Sequence, residues 1–479
     1  MKKLIYLTFL ITTLIHAQSQ VGNIINGIGD YEQFGPFVKI SDDGTKIAVG
    51  SWASNVQGVE SGQVDIYELN NGTWTPIGNS IYGAAANDNF GISISLSEDG
   101  NIIAIGAPNY NGNSNDIGQV KVYTLSNGQW NQLGNTLQGT ENNHFFGASV
   151  SLSDDGNTLA VGAPGFGGSD SGQIKVFSFS AGTWNLLGNS IDGTNNDNFL
   201  GQVVELSGDG NTIAITDFNY EQIASKLGKV KIYSFTNNLW STKGSAIYNE
   251  LTDNNLANSI ALDHTGEELV LGIPGNDDNG TDSGKVQYLI FQNNDWSQVG
   301  NDILGTTNSN LGYSVNHSDD IITMSSIHFN SIGKVDIYET NGMSIDFLTT
   351  ISGASTQSFY GFSSSLSSNK ILTLSTRSDN DLGQVETYDL DGLLSTHSLT
   401  VPEFKIYPNP ASTTLNLKVN NHTEIESISI LSLQGKRIKK YTDRLTHIDV
   451  SFLSNGIYFI EIVSGHKNYM AKFVKKIKP

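Results

Sequence analysis

The chain has 479 residues, a formal net charge of −21 and no cysteine. Without thiols it has no disulfides, thiolate metal sites or thiol catalysis, and a chain of this length has core enough to fold without them. Its acidic balance repels polyphosphate, which excludes nucleic acid as a partner.

At the N-terminus, Lys2 and Lys3 precede an apolar run from Leu4 to Ile15, followed by His16-Ala17-Gln18. A basic start, a short apolar core and a small residue before polar sequence describe a cleaved secretory signal, assigned to residues 1–17. No cysteine follows it, so lipoprotein anchoring is excluded. No later stretch reaches the roughly 18 apolar residues of a membrane helix, so no transmembrane segment is expected.

Residues 18–400 repeat a unit of about 55 residues seven times. The turn glycine falls at 44, 100, 156, 210 and 266; the glycine opening a G-[QK]-[VI] segment falls at 62, 118, 172, 228, 284, 333 and 383. Tryptophan recurs at 74, 130, 184, 240 and 296, and the last two copies lack both the Trp and the Asp-Gly turn. In the second copy Phe90, Ile92, Ile94 and Leu96 alternate as one face of a strand. The turn Ser97-Glu98-Asp99-Gly100-Asn101 follows, where Gly takes the positive φ. Ile102 to Gly106 then reads as a buried strand, Val120 and Val122 as a third, Trp130 and Leu133 as a fourth. A four-stranded meander buries both faces only against neighbours, and radial closure supplies them, with four to eight blades usual. The expected fold is all-β: a seven-bladed β-propeller followed by a small Ig-like β-sandwich. A linear solenoid is the rival. Val21 to Gly27 matches the tail of a unit, such as Leu187 to Gly193, so it is expected to complete the last blade.

Polar loops precede the first strand in five units and include Asp88, Asn143, His144, Asp197 and Asn254. Gathered on one rim, these amides and carboxylates hydrogen-bond a glycan or peptide; the bland alternative is that they cap turns and tie blades together. The recurring Trp residues are expected to pack rather than stack on sugars, and Trp52 is the best candidate for an exposed aromatic, although burial is the better expectation there too. Asp277, Asn279 and Asp282 form an acidic loop that is a weak candidate for a metal. The histidines show no metal-ligand spacing, and no nucleophile elbow or phosphate loop stands out.

The period ends at 401–404, a linker, and the charge inverts. From Lys405 onward there are 12 basic and 5 acidic residues, against 12 and 42 in residues 18–404. Residues 405–479 show strand patterning with turns at sandwich spacing.

Tyr407-Pro408-Asn409-Pro410, Leu415-x-Leu417, Gly435, Gly456-x-Tyr458 and the terminal Lys475-Lys476-Ile477-Lys478 resemble the type A sorting domain of the Bacteroidetes type IX secretion system. That resemblance implies export by the leader, outer-membrane translocation through the secretion machinery, and attachment to the cell surface or release. Phe90-Gly91 with Gly106-Ala107-Pro108, and Phe146-Gly147 with Gly162-Ala163-Pro164, resemble FG-GAP repeats, the blades of integrin-α-type propellers. Many such blades carry a D-x-D-x-D-G calcium loop. Here Ser153-Asp154-Asp155-Gly156-Asn157 is too short to wrap the ion, so calcium does not carry over.

The expectation is an exported, non-enzymatic binding or adhesion protein for an extracellular glycan or protein, with no cofactor and calcium left open. A structural or matrix role ranks second. A propeller hydrolase or lyase acting on polysaccharide ranks third.

Overall fold

The structure, a computed structural model, describes residues 19–27, 34–112, 115–167, 171–193, 199–217, 228–248, 259–354, 359–377, 383–391, 404–419, 427–432, 437–442, 447–464 and 467–476. The leader expected at 1–17 lies outside them. The chain divides into two compact units between Leu393 and Leu394.

Among the described residues, the first unit consists of seven antiparallel sheets, one per repeat. In the second, Ser93–Leu96, Ile102–Ala107, Gln119–Ser126 and Gln129–Gln132 run in order, and Leu137–Gln138 returns to pair with Gln119 and Val120. The first strand starts later than the alternation suggested. Phe90 and Ile94 are buried, but Ile92 precedes the strand and, like Leu96, is only half-buried. Ser93 and Ser95 on the opposite face are buried too, because the strand packs between neighbouring sheets. The turn forms as read: Asp99 Oδ1 accepts from the Ser97 hydroxyl at 2.8 Å and the Asn101 N–H at 2.9 Å, and Gly100 holds φ +64°.

Adjacent sheets touch through their first strands along the series, and Ser364–Leu366 of the seventh touches Phe37–Ile40 of the first. Glycine permits the close approach. A Cβ on Gly106 would stand 2.1 Å from the Gly147 carbonyl oxygen of the next sheet, and one on Gly162 would stand 2.0 Å from that of Gly201. The two halves of the repeat motif therefore meet across sheets, the Gly-Ala-Pro of one copy against the Phe-Gly of the next.

The tryptophans are latches. Trp130 donates its indole N–H to the Ile77 carbonyl at 3.0 Å, and its backbone N–H to Asn79 Oδ1 at 2.9 Å, both in the preceding copy's tail. Trp184 repeats this on Leu133 and Asn135, and Trp240 on Leu187 and Asn189. These three and Trp74 are buried, whereas Trp296 is half-buried; the place of a sixth is taken by Ile345 beneath Gly300. Trp52, the best candidate for an exposed aromatic although burial is the better expectation, is half-buried.

The N-terminal segment completes the seventh sheet. Ser19–Gln20 and Ile25–Asn26 pair antiparallel with Gln384–Asp389, in the registers Gln20 with Tyr388 and Ile25 with Val385. Trp74 then latches onto this segment, donating its indole N–H to the Val21 carbonyl and to Thr387 Oγ1, and its backbone N–H to Asn23 Oδ1 at 2.7 Å.

In the second unit, one sheet contains Phe404–Tyr407, Thr414–Val419 and His447–Asp449. The other contains Arg437–Tyr441, Ser427–Leu431, Gly456–Ser464 and Lys467–Lys475. Leu415, Leu417, Ile430, Ile448, Ile460 and Phe473 form their common core.

Candidate functional site

Two cavities lie at opposite ends of the first strands, and all seven sheets line each. The acidic one, of about 620 Å³, is walled by the C-terminal halves of those strands and the turns after them. The Asp42, Glu98, Asp154, His264 and Asp319 side chains surround its mouth, with Gly208 at the equivalent place in the fourth sheet. The turns are joined by backbone hydrogen bonds: Asp42 N–H to Glu98, Glu98 N–H to Asp154, and Asp154 N–H to Gly208, each at 2.9 Å. Asp209 N–H continues to His264 at 3.2 Å, and Asn369 N–H reaches Asp42 at 3.3 Å.

In the third sheet's turn the two adjacent acidic residues are set apart. Burial pushes Asp155 up, but the Ser153 hydroxyl and the Asn157 backbone and side chain outweigh it and hold the carboxyl below its ordinary value. Asp154, the residue before, faces the cavity. Burial holds it above the ordinary value against the hydrogen bond from His264, whose Nδ1 lies 2.5 Å from Asp154 Oδ2. That same bond pulls His264 up.

Deeper in, Lys39 and Glu205 project from the first and fourth sheets at the level where Ser95, Ser151 and Ser365 stand in others. Burial pushes the Glu205 carboxyl up, and the charge of Lys39 offsets this in part. In the wall, the His317 side chain is wholly enclosed; its Nε2 lies 3.4 Å from Glu268 Oε2, and Glu268 also accepts from Tyr288 Oη. Burial holds His317 below the usual histidine value, with Glu268 acting in the opposite sense.

The aromatic cavity, of about 570 Å³, is lined by Phe37, Phe145, Phe199, Tyr313 and Phe362, with Pro36, Pro108 and Pro164. Asn109, Gln202, Ser259 and Ser363 supply polar groups among the rings. Phe145 and Phe199 hold φ of +51° and +45°. The equivalent positions in the second and sixth sheets are Asn89 and Asn310, at +50° and +51°, and in the seventh Phe359, at +39°, which packs on His328 away from the cavity. Asn occupies the left-handed region readily and Phe does not.

The rim residues singled out from sequence are dispersed in role. Asp88 is buried, and its carboxylate accepts the N–H groups of Ala84 at 3.2 Å and Ala85 at 2.9 Å. His144 is buried against Phe166, its Nδ1 accepting from the Thr140 N–H at 3.3 Å. Asn143 is exposed. Asp197 and Asn254 lie outside the described residues. In the acidic loop Asp277 accepts the Asp282 N–H at 2.7 Å, and Asn279 donates to the Gly305 carbonyl at 2.7 Å. Lys285 places its ammonium 3.1 Å from Asp278, and no trio of carboxylates or histidines among the described residues is arranged to hold a metal. The cavities themselves were not legible beforehand. The one available signal was the departure from Ser at 39 and 205 and from Asn at 145, 199 and 359, visible only once copies are aligned by strand position, and the last of these does not reach the cavity.

In the C-terminal unit, Tyr407, Pro408, Asn409 and Pro410 are exposed beside the last strand, where Asn409 Oδ1 accepts the Val474 N–H at 2.8 Å. Gly456 opens a strand, and Tyr458 stacks on Phe473 while donating to the Ser454 carbonyl at 3.1 Å. Gly435 lies outside the described residues.

Fold and cavities define an all-β repeat protein followed by a separate two-sheet unit. Residues 405–476 of that unit match the family model for the secretion system C-terminal sorting domain. The protein is accordingly secreted, and is attached to the outer cell surface or released from it. The sorting domain implies contact with the type IX machinery. No helix among the described residues is long and apolar enough to cross a membrane. No curated protein matches the chain. Among solved structures it is similar to a chain of a mitotic checkpoint complex, at 14% identity and TM-score 0.49, covering 80% of this chain and 98% of that one. It is also similar to a prolyl endopeptidase structure, at 14% identity and TM-score 0.47, covering 91% of this chain and 53% of the other. Neither likeness bears on function.

Proposed function

We propose that this protein is a non-enzymatic binding or adhesion module. In this reading the body is a closed seven-bladed β-propeller of FG-GAP-like repeats, which the type IX system delivers to the outer surface. Its ligand is a glycan held in the aromatic cavity. The observation carrying this is the left-handed backbone at Phe145 and Phe199. A bulky residue in that conformation costs on the order of 1–3 kcal/mol and persists only where the surrounding structure holds it, and here two such rings are held at one cavity. Both rings line a concave, largely apolar cavity with a few amides and hydroxyls, the composition of a small-ligand site. Sugars offer C–H faces to the rings and hydroxyls to Asn109, Gln202 and Ser259. No cofactor enters the reading, and calcium is treated as optional.

Glycan and matrix arrays probed with the purified protein, with and without calcium, test it. The expected result is a saturable signal that disappears in the Phe145→Asn/Phe199→Asn double variant. A signal unchanged in that variant, or no signal in either condition, overturns the glycan reading.

A second reading, a polysaccharide hydrolase or lyase, is favoured by the Asp154–His264 and Glu268–His317 pairs at the acidic cavity, since carboxylate–histidine pairs serve acid–base chemistry. Chain-length analysis of the array polysaccharides after incubation separates the two. Intact chains are expected, and shortened chains establish the enzyme.

A further inference from the structure

We propose that the acidic cavity is a second binding site, specific for an organic cation whose ammonium group is accepted by Glu205. It is independent of the glycan reading, which concerns the opposite end of the first strands.

Three observations support it. First, Ser95, Ser151 and Ser365 use their hydroxyls to accept backbone N–H groups of the next sheet, from Leu152 at 2.9 Å, Leu206 at 2.9 Å and Ile40 at 3.2 Å. Glu205 replaces Ser at this level and, like Lys39, makes no side-chain hydrogen bond or close ion pair among the described residues. A cavity-facing carboxylate whose burial is offset only in part, by the charge of Lys39, is costly to maintain unless a second cation meets it. Second, the same wall carries a further carboxylate, Glu268, whose Oε2 lies 3.4 Å from Nε2 of the enclosed His317. Third, the mouth is ringed by Asp42, Glu98, Asp154 and Asp319, which concentrate cations there and steer them inward.

An organic cation fits better than a metal. No trio of ligands among the described residues is set to hold an ion. Lys39 also shares the cavity with Glu205, which disfavours a compact dication. A slim chain with separated ammonium groups reaches Glu205 while its remaining charge stays at the carboxylate mouth.

Titration calorimetry of the full chain with spermidine tests this. Saturable binding is expected that weakens as salt rises. Glu205→Gln, which keeps the shape, should weaken binding by about tenfold or more, as loss of a charge-assisted hydrogen bond does. Lys39→Met should tighten it by removing a like charge. Absent or non-saturable binding, an affinity unchanged in Glu205→Gln, or equal competition by calcium overturns the proposal. Should Glu205→Gln melt well below the parent, Lys39→Met decides alone, and an affinity that fails to rise is then the overturning result. Loss of glycan binding in the phenylalanine variants leaves this site untouched, so the two proposals fail separately.

Discussion

Asp154 and His264 meet 2.5 Å apart across an intervening sheet, their side chains passing over Gly208. A Cβ on Gly208 would lie 2.2 Å from Asp154 Oδ2 and 2.3 Å from His264 Nδ1, so the contact between the third and fifth sheets depends on a glycine in the fourth. Both contacted atoms end mobile side chains. Gly208→Ala should therefore separate the pair at a cost under about 1 kcal/mol, because the ion pair is partly exposed and screened. Because Asp154 raises the His264 pKa, the folded state holds that proton more tightly than the unfolded chain. The contribution is complete below about pH 6.5 and is lost as pH rises through the raised folded value. NMR titration should show His264 moving down toward the ordinary histidine value in Gly208→Ala. Melting curves should show the parent's small advantage below pH 6.5 vanishing at higher pH.

Gly106→Val should be far more severe. Its Cβ would meet the Gly147 carbonyl at 2.1 Å, and backbone of a neighbouring sheet does not swing aside. Overpacking of this kind costs about 3 kcal/mol or more. Loss of soluble, cooperatively melting protein is the expected readout. Gly128→Val, at a position with open space around it, would strain only its own positive φ and should cost much less.

The tryptophan latches are separable by atom. Trp130→Phe leaves the Ile77 carbonyl without its indole donor and opens space in the core, with an expected loss of about 2–4 kcal/mol. Asn79→Ala removes only the acceptor of the Trp130 backbone N–H, for about 1–3 kcal/mol. Urea denaturation of both variants should give that order.

Removing residues 19–26 should open the seventh sheet. The edge of Gln384–Asp389 loses its partners, and Trp74 loses both Val21 and Asn23. A loss on the order of 3 kcal/mol or more follows, with an exposed edge that favours aggregation. A synthetic peptide of residues 19–27 added in trans should restore much of the melting temperature by adding the strand back.

Phe145→Asn and Phe199→Asn, introduced to abolish glycan binding, should leave the fold at least as stable. Asn already sits at the equivalent positions 89 and 310 with the same φ, so relief of strain offsets lost packing. A calorimetric melting temperature within a few degrees of the parent or above it is expected. A large fall would mean that the rings are core rather than site.

Much of the architecture was written locally. Alternation around Phe90 and Ile94, the Asp-Gly turn and the recurring Trp are near-neighbour signals, and near-neighbour physics decides where strands and turns form. Even the N-terminal strand was legible, because Val21 to Gly27 resembles the tail of a unit such as Leu187 to Gly193. Local pattern did not say which polar residues face a ligand. Asp88 and His144 have the composition of a binding rim, yet their side chains turn back to Thr140 or to Ala84 and Ala85. Lys39, Glu205, Asp154 and His264 are far apart in the chain and become one cavity wall only when seven sheets assemble. Sequence alone determined the repeat, the strands and the route out of the cell, since each is encoded within a contiguous stretch. Which side chains are satisfied and which confront open space is a property of contacts between sheets, and only the tertiary structure decided it.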